Sequence, residues 1–181
     1  MRSWGKREQC QAYGIIEGLY SRKNDYAKSI VYLERQLPIA KETKDVESEA
    51  EALDGLGNNY RRMGEYGNAM AYLDQALVIE SERGGDRIVM PYIIMGNVLV
   101  AQEGREKEAT LTFQKCVGLF EEGNLSKSLM GLFLELGQAY RSIGARDDAI
   151  AYLEKALSIT DSIEDETPDY YQLKRLAKQS L

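Results

Sequence analysis

Apolar residues recur along this chain at steps of three and four. Val46, Ala50, Leu53, Leu56, Tyr60 and Met63 fall on one helical face. Gly64 then interrupts, where a chain leaving a helix can take a left-handed cap. A second face follows at Tyr66, Met70, Leu73 and Leu77. The pattern predicts two helices joined by a short turn. Gly57 and Ala69 are small where the two helices must approach closely, because a bulky side chain at either place would push the backbones apart.

The same pattern returns. LGNNYRRMGEYGNAMAYLDQAL from Leu56 and LGQAYRSIGARDDAIAYLEKAL from Leu136 agree at 11 of 22 positions, 80 residues apart. Halving the offset exposes weaker copies from Ile16 and around Gly104, so the period is 40. Tyr20, Tyr60, Val100 and Tyr140 form one column; Asn24, Gly64, Gly104 and Gly144 form the next. Ser29, Ala69, Ala109 and Ala149 follow, then Leu33, Leu73, Phe113 and Leu153, then Leu37, Leu77, Val117 and Leu157. Six of the 12 tyrosines occupy two columns, the first above and Tyr32, Tyr72 and Tyr152, with Thr112 in the fourth place. Each period therefore reads as a helix pair. In the third, Met95-Gly96 lies one residue out of register with Gly104, which predicts a bulge or a slightly longer first helix there.

Helix stops are expected at Gly84-Gly85 and Gly123-Asn124. Asp45, Asp86 and Ser126 are expected N-caps, since their side-chain oxygens can accept from free backbone N–H groups. Thr167-Pro168 predicts one more helix start, and the helix over 168–180 has Tyr170, Leu173 and Leu176 on one face and Lys174, Arg175 and Lys178 on the other. Such a half-polar helix suits the open end of a repeat array. Trp4, ahead of the first repeat, is either a cover for the other end or an exposed anchor. The expected organisation is one domain over 1–181, with repeats at about 6–44, 45–85, 86–124 and 125–165 and a capping helix at 168–180.

Composition narrows the chemistry. The chain has no histidine, which removes the commonest general base, the Ser/Cys–His nucleophile pairs and most zinc sites. Cys10 and Cys116 lack metal-site spacing and read as free thiols in small core positions, which fits a reducing compartment, the cytoplasm or another such intracellular one. The glycines are spread at repeat intervals, so none builds a phosphate loop. Acidic pairs such as Asp147-Asp148 and Glu121-Glu122 read as helix starts and solvated faces. No enzyme activity, cofactor or metal is expected. The formal net charge of -6 makes nucleic acid a poor partner. No apolar run approaches the ~18 residues of a membrane-spanning helix, and no apolar stretch follows the basic N-terminus as a secretory signal would require.

The run Leu53, Leu56-Gly57, Tyr60, Gly64, Ala69, Leu73 and Ala76 resembles the tetratricopeptide repeat (TPR), as does Leu136-Gly137, Tyr140, Gly144, Ala149, Leu153 and Ala156. The likeness covers about residues 10–165. The period of 40 departs from the family's commonest 34 and is similar to that of kinesin light chains and Pins-type polarity adaptors. The resemblance implies an all-α fold: a right-handed superhelical solenoid of four helix-turn-helix repeats plus a C-terminal capping helix. It implies a non-catalytic protein-interaction module. It is weak evidence about which partner.

In this family the first helices of successive repeats line a concave groove, and Asn there often grips ligand backbone. The matching positions here are Gly18, Asn58, Asn97 and Gln138. A side-chain amide can donate to a peptide C=O and accept from a peptide N–H. Arg22, Arg61, Arg62 and Arg141 would add positive charge able to fork onto a carboxylate. The third repeat would add Met90, Ile93 and Val100, and the fourth Leu134. The expected partner is a protein or peptide with an acidic part and an apolar part. The blander alternative pairs the arginines with Glu51 and Asp54, the second of them itself a candidate for the partner-binding set, and puts the apolar residues in the core. Two other functions compete with groove binding in an adaptor or scaffold. One is a structural subunit of a larger assembly, docked through its convex face or ends. The other is a regulator of a partner enzyme.

Overall fold

The computed structural model describes residues 4–84, 86–121 and 126–162. Every regular element among them is helical. The order is α1 (Trp4–Arg22), α2 (Tyr26–Thr43), α3 (Val46–Arg62), α4 (Tyr66–Arg83), α5 (Val89–Val100), α6 (Glu106–Glu121), α7 (Ser126–Ser142) and α8 (Arg146–Ser162), with a short 3-10 turn at Asp86–Ile88 before α5. The chain forms two compact units, Met1–Val98 and a second beginning at Leu99. In the first, α1 packs on α2, α2 on α3 and α3 on α4, and α1 also touches α3. In the second, α7 packs on α8 and α6 touches α7. The expected helix at 168–180, its start at Thr167-Pro168, and the Gly123-Asn124 stop lie outside the described residues, as does the Trp4 side chain.

The turns inside the helix pairs follow from one backbone device. Gly64 takes φ +79°, Gly144 φ +79°, and Asn24, in the same column, φ +58°. Asn is among the few side chains that tolerate this region. After α3, the Gly64 N–H bonds the Arg61 carbonyl at 3.0 Å and the Glu65 N–H bonds the Tyr60 carbonyl at 2.9 Å. Two orphan carbonyls are thereby satisfied in a Schellman motif. The same pair of bonds closes α1, through Asn24 to Ser21 and Asp25 to Tyr20, and α7, through Gly144 to Arg141 and Ala145 to Tyr140. Asp45 caps α3 as expected, accepting from the Ser48 N–H at 3.2 Å. Gly84 ends α4 at φ +67°.

This reversal brings the two tyrosine columns together. Tyr20 stacks on Tyr32, Tyr60 on Tyr72 and Tyr140 on Tyr152, with ring centroids 5.5, 5.5 and 5.3 Å apart and planes within 11°. Each stack clips the end of a first helix to the second helix of its pair. Deeper in the pair the small residues matter more than the large ones. A Cβ on Gly57 would lie 2.6 Å from Leu73 Cγ, and one on Gly137 would lie 2.5 Å from Leu153 Cγ. Leu73 and Leu153 fill the space the glycines leave and are almost fully buried. In the first repeat Glu17 stands at the glycine position, and the packing is polar instead. Ser29 Oγ donates to Glu17 at 2.8 Å and accepts from Asn59 Nδ2 at 2.7 Å.

The third pair departs from the others, and not as expected. Its first helix is shorter, not longer: α5 has 12 residues against 17 in α3 and α7. Pro91 lacks an N–H and lies in the first turn of α5, where that donor would have no intrahelical partner. Asp86 opens the 3-10 turn and not α5 itself. The extra residue between Gly96 and Gly104 is taken up after the helix, in a connection of five residues (101–105) where the other pairs use three. Val100 and Thr112 occupy the two tyrosine columns, so no ring stack closes this pair.

Two carboxyl groups sink into the junction of α3, α4 and the 3-10 turn. Glu80 is 1% exposed; its Oε1 takes Arg83 Nη1 at 3.0 Å and Arg87 Nε at 3.6 Å, while its Oε2 has no partner. Arg87 also reaches Glu51 at 3.0 Å and Glu47 at 3.3 Å. Asp54 lies beside them, partly buried, with Oδ1 unpartnered. Burial, then the like charge of Glu80, raises its carboxyl from the usual 3.8 to about 7, against the opposing pull of Arg87. Both cysteines are buried and outside any disulfide, and burial pushes the Cys116 thiol up to about 12.

Two consequences can be measured. Gly57→Ala should lower the free energy of unfolding in urea by about 1–3 kcal/mol, the cost of overpacking. Gly5→Ala, with open space around it, should not lower it. Leu73→Ala combined with Gly57→Ala should cost less than the two changes summed, because they share one contact. The second consequence concerns pH. The folded state holds the Asp54 proton more tightly than the unfolded state does, so this contribution is fully present below pH 3.8 and lost as pH rises through about 7. Stability should therefore fall between about pH 5 and pH 8 by on the order of 2 kcal/mol more in the wild type than in Asp54→Asn. Parallel slopes for the two proteins in denaturant titrations would contradict it.

Candidate partner-binding surface

The candidate positions sit on the first helix of each pair. Asn58 is half-buried on α3, one turn before the Schellman cap. Its Oδ1 accepts from Arg61, Nε at 3.2 Å and Nη2 at 2.9 Å. The amide thus holds the guanidinium of the next turn in place, and its own N–H donors remain available. Asn97 on α5 and Gln138 on α7 are likewise half-buried. Gly18 occupies this position on α1, and its carbonyl accepts from Arg22 Nε at 3.3 Å. Arg22, Arg62 and Arg141 are exposed at the ends of α1, α3 and α7, and Arg61 is half-buried.

The two acids considered from sequence as partners of those arginines both lie with another one, Arg87. Glu51 is engaged by Arg87. Asp54 faces Glu80 and Arg87 in the buried junction and is no part of an open row of side chains. Among the apolar candidates, Met90 is 51% exposed, Ile93 and Val100 are half-buried, and Leu134 is only 4% exposed. Leu134 packs with Leu153 and Leu157 and belongs to the core. The first unit adds exposed apolar residues that periodicity alone did not single out: Ile15 and Leu19, one turn apart on α1, are 68% and 52% exposed.

Ile15 borders a cavity of about 530 Å³ between α1, α2 and α3, lined also by Gln11, Gly14, Glu17, Leu33, Gln36, Ser48 and Glu51. Gln36 is the residue sequence reasoning missed. It stands in a column otherwise filled by Ala76, Cys116 and Ala156, all fully buried, and it is itself 4% exposed. A polar side chain in a column of small apolar ones was the available signal. The other half of the fit is Gly14, whose missing Cβ would lie 3.2 Å from Gln36 Nε2.

These residues offer hydrogen bonds, charge and apolar contact. Among the described residues no group of three or more His, Cys, Asp and Glu could hold a metal ion, and no helix is long and apolar enough to cross a membrane.

Comparison with known proteins agrees with this architecture. Two tetratricopeptide repeat family models match residues 11–80 and 132–167, together more than half of the chain. Tetratricopeptide repeat protein 29 of Trypanosoma brucei brucei is 29% identical over 125 residues, which is 68% of this chain but 26% of that protein, so the chain spans about a quarter of that relative's length. Among solved structures, BtubC (BKLC) from P. vanneervenii superposes with a TM-score of 0.71 at 20% identity, over 88% of this chain and 66% of that one. The nearly identical TPR-like repeats of a protein described as a kinesin light chain, from Podosopora anserina, give 0.67 at 18% identity, over 99% of this chain and 88% of that one. At such identities the solved structures speak to fold alone, and the fold they share with this chain is the α-solenoid of helix-turn-helix repeats. Family models, curated relative and solved structures converge with the helix pairs themselves: this chain belongs to the tetratricopeptide repeat family.

Proposed function

We propose that the chain is a non-catalytic protein-interaction module that holds a segment of a partner protein against the first helices of its repeats, as an adaptor or scaffold. The observation that carries this reading is the amide at Asn58, half-exposed and locked onto Arg61. A fixed amide beside a fixed guanidinium can grip a peptide backbone and a carboxylate at adjacent points, with little side-chain entropy left to lose. Asn97 occupies the equivalent place on α5, and Gln138 and Arg141 the equivalent places on α7. Arg22 and Arg62 extend the positive charge, which suits an acidic stretch in the partner. Met90 offers an apolar contact beside it. Tetratricopeptide repeats generally serve protein–protein binding, which supports the same reading. Docking as a subunit of a larger complex is the alternative, and it would leave these side chains unused.

Affinity capture with the wild-type chain beside an Asn58→Ala/Asn97→Ala variant, read by mass spectrometry, tests the proposal. A thermal melt of both proteins accompanies it, since each amide sits within a helix and its loss should cost stability by under ~1 kcal/mol. A partner retained by the wild type and lost by an equally folded variant is the expected result. Identical partner sets on the two proteins would move the binding site away from the amide positions.

A further inference from the structure

The outer side of α1 has an apolar stripe whose use the rest of the repeat defines. Ala12, Ile15, Ile16 and Leu19 share one face of that helix. Ala12, Ile15 and Leu19 are exposed, and Ile16 is half-buried. One period on, the same columns hold Ala52, Gly55, Leu56 and Asn59 of α3, and there Ala52, Leu56 and Asn59 are buried. What covers them is α2. Ala52 and Leu56 cluster with Ile30 and Leu33, Leu37 packs against that cluster, and Asn59 Nδ2 donates to Ser29 Oγ at 2.7 Å. On α7 the corresponding Leu132, Leu136 and Ala139 are buried as well. The columns that seat a helix on α3 are therefore open on α1, and a contiguous exposed apolar stripe marks an interaction site.

The seating of α2 on α3 says what kind of helix fits. The two run antiparallel: Ser29, near the start of α2, meets Asn59, and Lys41, near its end, lies 3.9 Å from Glu49. A helix seated the same way on α1 begins beside Arg22 and Lys23, both exposed at the end of α1. Acids in its first turn complement those cations and its own dipole. Ile15 changes the middle apolar seat. Leu33 Cδ1 already lies 3.1 Å from where a Cβ on Gly55 would be, so an isoleucine in that column leaves room opposite it for alanine and not for leucine. Each second helix of this chain is bulky in that seat, at Leu33, Leu73, Phe113 and Leu153, which argues against a second copy as the occupant. We infer that the outer face of α1 docks an amphipathic helix of another protein. That helix lies antiparallel to α1, with acids in its first turn and a branched aliphatic residue, an alanine and a leucine at the spacing of Ile30, Leu33 and Leu37. This surface is separate from Asn58 and Asn97, so it adds a second contact to the proposed module.

The test uses the full chain and a capped helical peptide, acetyl-SEEAAIKAAEKALKAAKK-amide, followed by backbone amide NMR. The peptide should shift the Ala12, Ile15 and Leu19 amides saturably. Ile15→Ala and Leu19→Ala should each weaken it about tenfold, the worth of one partly buried aliphatic side chain. Both side chains are exposed in the free chain, so neither change should lower its melting temperature. Val78→Ala, at another exposed aliphatic residue, on α4, should leave binding unchanged. A peptide with leucine for the alanine three residues after its isoleucine should bind about tenfold more weakly, through overpacking against Ile15. One with glutamine for both first-turn glutamates should also bind more weakly, by a margin that shrinks as salt is added. Diffuse, non-saturating shifts, undiminished binding by both alanine variants, or tighter binding of the leucine peptide would each overturn the assignment. So would a dimer of the chain in sedimentation that Ile15→Ala abolishes, since a second copy would then occupy the face. None of these measurements involves Asn58 or Asn97, so this site can fail while the captured partner stands, and the reverse.

Discussion

Everything in this molecule depends on how closely two helices can lie when only three residues join them. The turn admits no slack, so the second helix must fold straight back against the first. The chain meets this demand with a left-handed residue at Asn24, Gly64 and Gly144, two backbone bonds that close the helix end, and an absent side chain at Gly57 and Gly137 into which Leu73 and Leu153 press. The stacked tyrosines are a result of that geometry more than a cause of it. Their columns lie 12 residues apart, and they meet because the turn brings those two positions face to face.

Much of this was legible in the residues, because a repeat compares itself. A position that is small, or glycine, or tyrosine in three copies marks a backbone constraint or a contact that each copy must satisfy. The columns at Tyr20 and Tyr32 became stacks, and the Asn24 column became the left-handed turn. The third copy misled because a one-residue offset can be absorbed in a helix or in a connection, and the two look alike in sequence. In the fold α5 ends at Val100, and the surplus lies in 101–105.

The candidate site was harder to see, since binding positions are those the repeat leaves free to vary. Asn58 was identified as an exposed amide, and its hold on Arg61 adds rigidity that spacing could not convey. Asp54 and Leu134 were placed on the surface from their spacing, but packing from α4 and α8 draws them inward. The most informative positions turned out to be the copies that break their own column. Glu17 stands for glycine, Ser29 for alanine, Gln36 for alanine or cysteine, and Glu80 for the alanine at position 40. Each puts a polar group where most of its counterparts are apolar or glycine, and each needs a hydrogen-bond partner that the repeat alone does not supply.

The third helix pair has a consequence for how the chain comes apart. Local opening starts where the devices that close a helix end are missing. With 12 residues, a five-residue connection after it and no tyrosine at its end to stack, α5 is such a place. The same sequence that repeats a rigid hairpin thus also contains a helix whose end opens more readily than those a tyrosine stack closes.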